Sequence, residues 1–437
     1  MKNFKFIISF IILLVTCNFA AEPDSLNSVE NDTTSLTHPS NYLPLLFDPG
    51  LTMQSGAENI VTIHKGFTLV EDKIIGTQWF SESNILSKTG AILSRFAKYS
   101  IIDLPLDYFS VVLAHEYFGH GARYRELKIE NIDYGFNAPP PYGNGSGHAS
   151  ANIKSGSISE HELISIWIGG MEVHSLINQK LSMRWIGKKE INYREASLYL
   201  WSTQIMFNYI QSSKEDLDSD ISDNDPRAYV RLLNRNAGYT DLDNLAMTVG
   251  DLKSQSVISL VNPFIYYSIY TFLKTYLWDG DNSSDFPSLS FGEVEYLPAL
   301  RLGLTPFGTE YHLENYLKYS NLVSMVDLSI GDQTFYESWG SIGIYIQNIY
   351  QNENLSLDTD LHIWNQPEIN IGKNSPDVSG NQIGGAVSIR GYYDFRELEF
   401  PISLVLEMGY KTKGFLEGFN LDSAPILMFG IAININE

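Results

Sequence analysis

The sequence predicts an α+β chain, a mostly helical part followed by an antiparallel eight-stranded β-barrel-like domain. Three observations carry this. Between Ser83 and Trp278 apolar residues recur with the period of a helix. From Tyr296 onward the period drops to two. The alternating stretches are each about ten residues long and are joined by turn-rich segments such as TPFG, KNSPDVSG and FNLDSAP.

Taken in order, Lys2 and Lys5 precede the apolar run Phe6 to Val15, which is too short to span a bilayer, and Ala20 and Ala21 follow. Residues 1–21 therefore read as a secretion signal, and the polar stretch 22–41 as a disordered leader. Cys17, the only cysteine, sits in LVTC, which resembles the lipid-attachment box of bacterial lipoproteins with Thr16 in place of its Gly or Ala. A single cysteine leaves the fold without disulfides and any metal site without thiolates.

A helical, metallohydrolase-like domain is expected over 42–285. It begins with short β-like pieces, of which Ile60 to Leu69 could supply an edge strand. Helices are expected over Ile85 to Tyr99, Pro105 to Arg123, Ser159 to Leu181, Tyr193 to Gln211, Asp225 to Asn234 and Val257 to Trp278. The prolines and glycines of Tyr134 to Ser157 forbid regular structure. The acidic run Glu215 to Asp225 lacks the central glycine and closing glutamate of a calcium loop, so it reads as a solvated loop whose Asp225 caps the helix opened by Pro226. Val257 to Trp278 is long enough to span a membrane, but amphipathic neighbours favour a buried helix.

The barrel-like domain is expected over 290–437, with strands in Leu297 to Thr305, Glu310 to Asn321, Leu322 to Ile330, Ser341 to Tyr350, Leu355 to Trp364, Ala386 to Phe395, Ser403 to Thr412 and Ile426 to Ile435. Closure would remove aggregation-prone edges. A lipocalin-like barrel would hold the leucines inside. An outer-membrane barrel would hold Arg301, Glu314, Lys318, Asp360, His362, Arg390 and Glu407 inside and turn leucine and tyrosine to lipid. The strands, with tyrosines near their ends and an export signal upstream, resemble the outer-membrane class, which implies outer-membrane lipid as a partner and a Gram-negative-type envelope. The last strand ends Ile-Asn-Glu where that class has an aromatic residue.

Charge excludes one class of partner. With 51 acidic against 29 basic residues and a net charge of −22, the chain offers no basic stripe for nucleic acid.

The chemistry lies in Ser110 to Arg123, SVVLAHEYFGHGAR. Two imidazoles flanking a carboxylate suit zinc, with the carboxylate free to take a proton from a metal-bound water. The usual peptidase signature is H-E-x-x-H, whereas here the spacing is H-E-x-x-x-H. At about 100° per residue, five residues leave the rings of His115 and His120 roughly 140° apart on an ideal helix. The turn holding Gly119 must therefore widen into a π-bulge for both to reach one ion.

HEYFGHG resembles the H-E-x-x-G-H signature of dipeptidyl peptidase III, a zinc peptidase. The resemblance implies a zincin-like site in which His115 and His120 are ligands and Glu116 is the general base. It also implies a third ligand on a downstream helix, and Glu172 stands at a comparable distance, beside Gly169 and Gly170, which permit close helix approach. His174, His148 and Glu162 are substitutes for that third position. The second acidic motif of the family is missing. The expectation is thus an exported, envelope-associated zinc hydrolase acting on a peptide or protein substrate. The competing expectation is a non-catalytic outer-membrane protein whose helical half is a structural or binding module.

Overall fold

The computed structural model describes residues 42–74, 85–154, 156–217, 224–372, 380–395 and 401–434. The signal-like segment with Cys17, the leader, and part of the acidic run lie outside these residues.

The described chain opens with strand β1 (Tyr42–Phe47) and helix α1 (Met53–Ile74). Ile60 to Leu69, expected as an edge strand, lies inside α1. Its buried positions, Ala57, Ile60, Val61, His64, Thr68 and Glu71, repeat with a helical period. Next come α2 (Ile85–Lys98), a π-turn over Tyr99–Asp103, α3 (Leu104–Leu113), a π-turn over Ala114–His120 and α4 (Gly121–Glu126). Tyr134 to Ser157, expected to hold no regular structure, contributes to a hairpin of β2 (Asp133–Phe136) and β3 (Gly147–Ser150), which leads to α5 (Glu160–Lys188), a rod of 29 residues. Then follow β4 (Glu190–Asn192), α6 (Tyr193–Ser212), α7 (Asp225–Asn236), α8 (Val249–Ser256), a 3-10 turn over Val257–Val261, α9 (Pro263–Tyr270) and a π-turn over Thr271–Asp279.

Short strands β5 (Ser283–Asp285) and β6 (Leu289–Phe291) precede β7 (Val294–Thr305), β8 (Gly308–Tyr319), β9 (Leu322–Gly331) and β10 (Gly340–Gln351). The last four are β11 (Leu355–Pro367), β12 (Asn381–Asp394), β13 (Ile402–Lys411) and β14 (Ala424–Asn434).

The fold is mixed α+β, as expected, and each of the eight expected strands falls in one of β7 to β14. The closed eight-stranded barrel is not what forms. The sheet has ten strands, in the order β1-β14-β13-β12-β11-β10-β9-β8-β7-β6, and its end strands do not pair with each other. Helices make this opening tolerable by satisfying the free edges. On β1, Asn59 accepts a hydrogen bond from the Leu46 amide at 2.7 Å and donates to the Leu46 carbonyl at 2.8 Å, while Thr62 donates to the Pro44 carbonyl at 2.7 Å. On β7, the Leu302 amide donates to Ser259 Oγ at 3.4 Å and Tyr229 donates to the Thr305 carbonyl at 3.2 Å. An unpaired, buried edge would otherwise leave backbone groups without partners.

The two faces of the sheet invert the usual amphipathic order. Cross-strand partners on the inner face include Glu407, Arg390 and Asp358 along one row, and Glu314, Asp327, Gly343 and His362 along another. Arg301, Glu314, Arg390 and Glu407 are buried. The outer face is apolar: Leu427, Met408 and Ile389 are successive partners across three strands, and all are about half exposed. Leu328, Leu361, Leu404, Leu406 and Leu427 therefore point outward, opposite to a lipocalin-like barrel, while Leu297, Leu302 and Leu304 of β7 are buried.

Inside the curve of the sheet runs α5. Its capping box of Ser159 and Glu162 fixes its start, and Ser159 Oγ also donates to the Asn370 carbonyl at 2.6 Å. At the far end Lys318 donates to the Gly187 carbonyl at 2.6 Å. A polar cavity of about 150 Å³ lies between α1, α5 and the sheet, lined by Glu58, Lys180, Arg390, Asp358 and Glu407 among others.

The segment expected as one buried helix, Val257 to Trp278, is neither single nor buried. It breaks at Asn262 and Pro263, because proline has no amide to continue the helix, and Val261, Tyr266, Tyr270 and Leu273 are exposed. Among the described residues no single helix is long and apolar enough to cross a membrane, but Val249–Val261 with Pro263–Asp279, bent by 62°, passes that test as a pair.

The edge contacts yield a prediction. Asn59→Ala should lower stability by about 1–3 kcal/mol, since both polar groups of buried Leu46 lose their partners, whereas a substitution at exposed Asp243 should not. Chemical denaturation of the two variants beside wild type measures the difference.

Candidate metal centre

The widened turn that the H-E-x-x-x-H spacing requires is present: Ala114–His120 is a π-helical turn between α3 and α4. His115 Nε2 and His120 Nε2 lie 3.2 Å apart. The extra residue of the turn absorbs the angle that an α-helix would leave between the rings. His115, Glu116 and His120 are all buried.

The turn reaches its place because three glycines let helices touch. A Cβ at Gly119 would lie 2.6 Å from the Gly169 oxygen and the Gly170 Cα. A Cβ at Gly170 would lie 2.5 Å from His115 Nε2 and 2.7 Å from His120 Nε2. Any side chain there would enter the space between the imidazoles.

The third group is Asp225. Its Oδ2 lies 3.0 Å from His115 Nε2 and 3.2 Å from His120 Nε2, and these three residues are the only group among the described residues whose donor atoms converge as a metal site would. The sequence reading made Asp225 a helix cap. In the structure Asn224 caps α7, accepting from the Arg227 amide at 3.0 Å, and Asp225 is free to turn inward. Its amide donates to the Tyr209 hydroxyl at 3.1 Å. The signal for Asp225 was the Asp-Pro step at a helix start, and the other acids of the run hid it.

Glu172, expected as the third ligand, is engaged elsewhere. Its Oε1 accepts from Arg123 Nη2 at 2.5 Å and from the Gly418 amide at 2.6 Å, and its Oε2 accepts from Arg123 Nε at 3.3 Å. A guanidinium buried beside it needs that charge: burial opposes the Arg123 cation, and Glu172 with Glu126 keeps it protonated. The other substitutes are placed as follows. Glu162 caps α5, and exposed His148 pairs with Asp133 at 3.3 Å. His174 is fully buried, its ring 5.6 Å from that of His115, with Nδ1 bonded to Ser202 Oγ at 3.1 Å and Nε2 without a partner among the described residues. Burial, and then the nearby His115 and His120, hold His174 neutral.

Hydrogen bonding sets the tautomer of one ligand. His120 Nδ1 donates to the Ile166 carbonyl at 2.7 Å, which leaves Nε2 as the lone-pair nitrogen facing the cluster. With no cation, burial would drive His120 to its neutral form, but the charge and hydrogen bond of Asp225, with the Glu116 charge and the Ile166 carbonyl, raise it to about 9. Burial would raise the Asp225 carboxyl, yet the two imidazoles hold it well below the usual carboxylate range. The cluster is built around one positive charge, which a proton or a metal ion can supply.

Spacing and donor type fit a small cation. Ligand atoms about 2.0–2.1 Å from a tetrahedral zinc ion sit about 3.3 Å from one another, close to the 3.0 and 3.2 Å separations of the three atoms here. Two nitrogens and one carboxylate oxygen favour zinc over calcium or magnesium, which take oxygen ligands. Glu116 sits beside the cluster, its charge felt by His120, with no hydrogen-bond partner for its carboxylate among the described residues. Tyr124, held protonated by burial and by the charges of Asp225 and Glu116, with its pKa at about 12, carries a hydroxyl near the cluster, as does Tyr209.

Compared with protein-family models, characterised proteins and solved structures, the chain matches none.

Two substitutions separate the ligand sets. Asp225→Asn should abolish stoichiometric metal binding, while Glu172→Gln should leave it intact and cost about 1–3 kcal/mol of stability, because Arg123 loses one charged partner and keeps Glu126. Metal analysis and thermal denaturation of each variant give both readings.

Proposed function

We propose that the chain is an envelope-associated, zinc-dependent hydrolase, specifically a metallopeptidase, with its sheet seated in an outer membrane as a barrel-like wall. The carrying observation is the convergence of His115, His120 and Asp225 within 3.2 Å beside the buried Glu116. A bound zinc ion would supply Lewis acidity toward water and a scissile carbonyl. Glu116 takes the proton of the attacking water and passes it to the leaving amine. The Ile166 carbonyl keeps His120 in the tautomer that binds. Tyr124 donates a hydrogen bond from its hydroxyl to the developing oxyanion.

The membrane part of the reading is supported by the inverted sheet, which buries arginine and glutamate and exposes leucine, isoleucine and tyrosine. It also agrees with the export signal expected in residues 1–21.

A second reading, a non-catalytic outer-membrane protein with a helical structural module, draws on the fact that Asp225 and the two imidazoles satisfy one another as an ion-pair network. One variant decides between the two. Glu116→Gln should keep the metal and lose about 10²–10⁴-fold in turnover of a peptide substrate. Purified wild type without stoichiometric zinc, or activity unchanged in Glu116→Gln, refutes the hydrolase.

A further inference from the structure

The apolar outer surface continues past the free edges of the sheet. Beside β7, the 3-10 turn Val257–Val261, α9 and the π-turn Thr271–Asp279 carry no charged residue from Val257 to Leu273. Leu260, Val261, Tyr266, Ile269, Tyr270 and Leu273 are exposed. The buried side of the same segment holds Phe264, Ile265 and Tyr276 together with Ser268, Thr271 and Thr275. The segment thus carries large apolar side chains on its buried side and is apolar or aromatic at every exposed position from Val257 to Leu273. A helix with apolar groups all round is not one that water suits as a neighbour.

Helix α2 extends this surface with exposed Leu86, Leu93 and Phe96. It is tied to the segment by Arg95, whose Nε and Nη2 donate to the Leu277 carbonyl at 3.1 and 2.8 Å, and by Tyr276, whose hydroxyl donates to the Arg95 carbonyl at 3.0 Å.

The break at Pro263 does not leave its backbone bare. Asn262 accepts from the Phe264 amide at 3.0 Å, its own amide donates to the Ser259 carbonyl at 3.2 Å, and the Tyr266 hydroxyl donates to the Leu260 carbonyl at 2.7 Å. Internal satisfaction of this kind is what a non-aqueous surrounding demands. The eight residues of α9 and the nine of the π-turn together rise roughly 25 Å, the height of the apolar band of a membrane barrel.

We infer that Val257–Trp278 and α2 are the helical part of a lipid-facing wall that continues the outer surface of the sheet beside β7, so that bilayer acyl chains cover this side as they cover the sheet. The inference rests on the membrane reading of the sheet. It adds that the wall continues beyond β7 as helices embedded in lipid, not as more strands and not under a partner protein.

Single-cysteine variants in a Cys17→Ser background test it. A nitroxide is attached to Ile269→Cys and Leu273→Cys in the helical wall, Ile389→Cys on the sheet, and Asp243→Cys in a polar loop. The full chain is reconstituted in phosphatidylethanolamine–phosphatidylglycerol vesicles, and collisions with oxygen and with a water-soluble nickel chelate are compared. The expected result is an oxygen-to-nickel ratio several-fold higher at 269, 273 and 389 than at 243. Nickel access at 269 and 273 with lipid exposure at 389 overturns the helical wall and leaves the sheet reading standing. Shielding of 269 and 273 from both reagents means a protein covers them and equally overturns it. Nickel access at all four positions removes the membrane reading together with the inference.

Discussion

The constraint on which this structure depends is the satisfaction of two free sheet edges. Ten strands that do not close leave backbone amides and carbonyls at β1, and along β7 beyond its three-residue pairing with β6, that need partners. Asn59 and Thr62 answer for one edge, Ser259 and Tyr229 for the other. These contacts fix where α1, α7 and the Val257–Val261 turn stand against the sheet, and α7 carries Asp225. The edge of the sheet and the candidate metal centre are thus positioned by the same helix.

The second determinant is α5. A helix buried along most of its length must present small residues wherever another backbone crosses it, and Gly169 and Gly170 do so at the π-turn. That crossing lets an irregular turn exist inside the protein. The hydrogen bonds lost in widening the helix are offset by packing that a regular turn could not reach, and the result is two imidazole nitrogens 3.2 Å apart.

Much of this was legible in the sequence, for identifiable reasons. Strands β7 to β14 were readable because alternation is a local signal, and the widened turn was readable because a five-residue spacing is arithmetic on a helix. Strand β1 was not, since its partner β14 lies at the other end of the chain and its six residues carry no alternation of their own. The placing of Ile60 to Leu69 as a strand failed because its β-branched residues suit either state, and tertiary contact with β1 selected the helix. At the site, Glu172 was a reasonable choice by distance along the chain, but Arg123, which sequence left unassigned, engages it. Asp225 was hidden because capping is decided by one residue of a run, and the choice of Asn224 over Asp225 depends on three-dimensional fit.

The pairing of β1 with β14 also has a kinetic side. The first described strand has its ladder partner in the last, so this edge of the sheet cannot zip until the whole chain is present. Closing a loop of that length costs entropy before any contact rewards it. The helical segments, whose contacts are nearer in sequence, can assemble earlier, and α1 then offers Asn59 and Thr62 as a waiting template for β1. Synthesis runs from the first strand to the last; completion of the sheet has to await both.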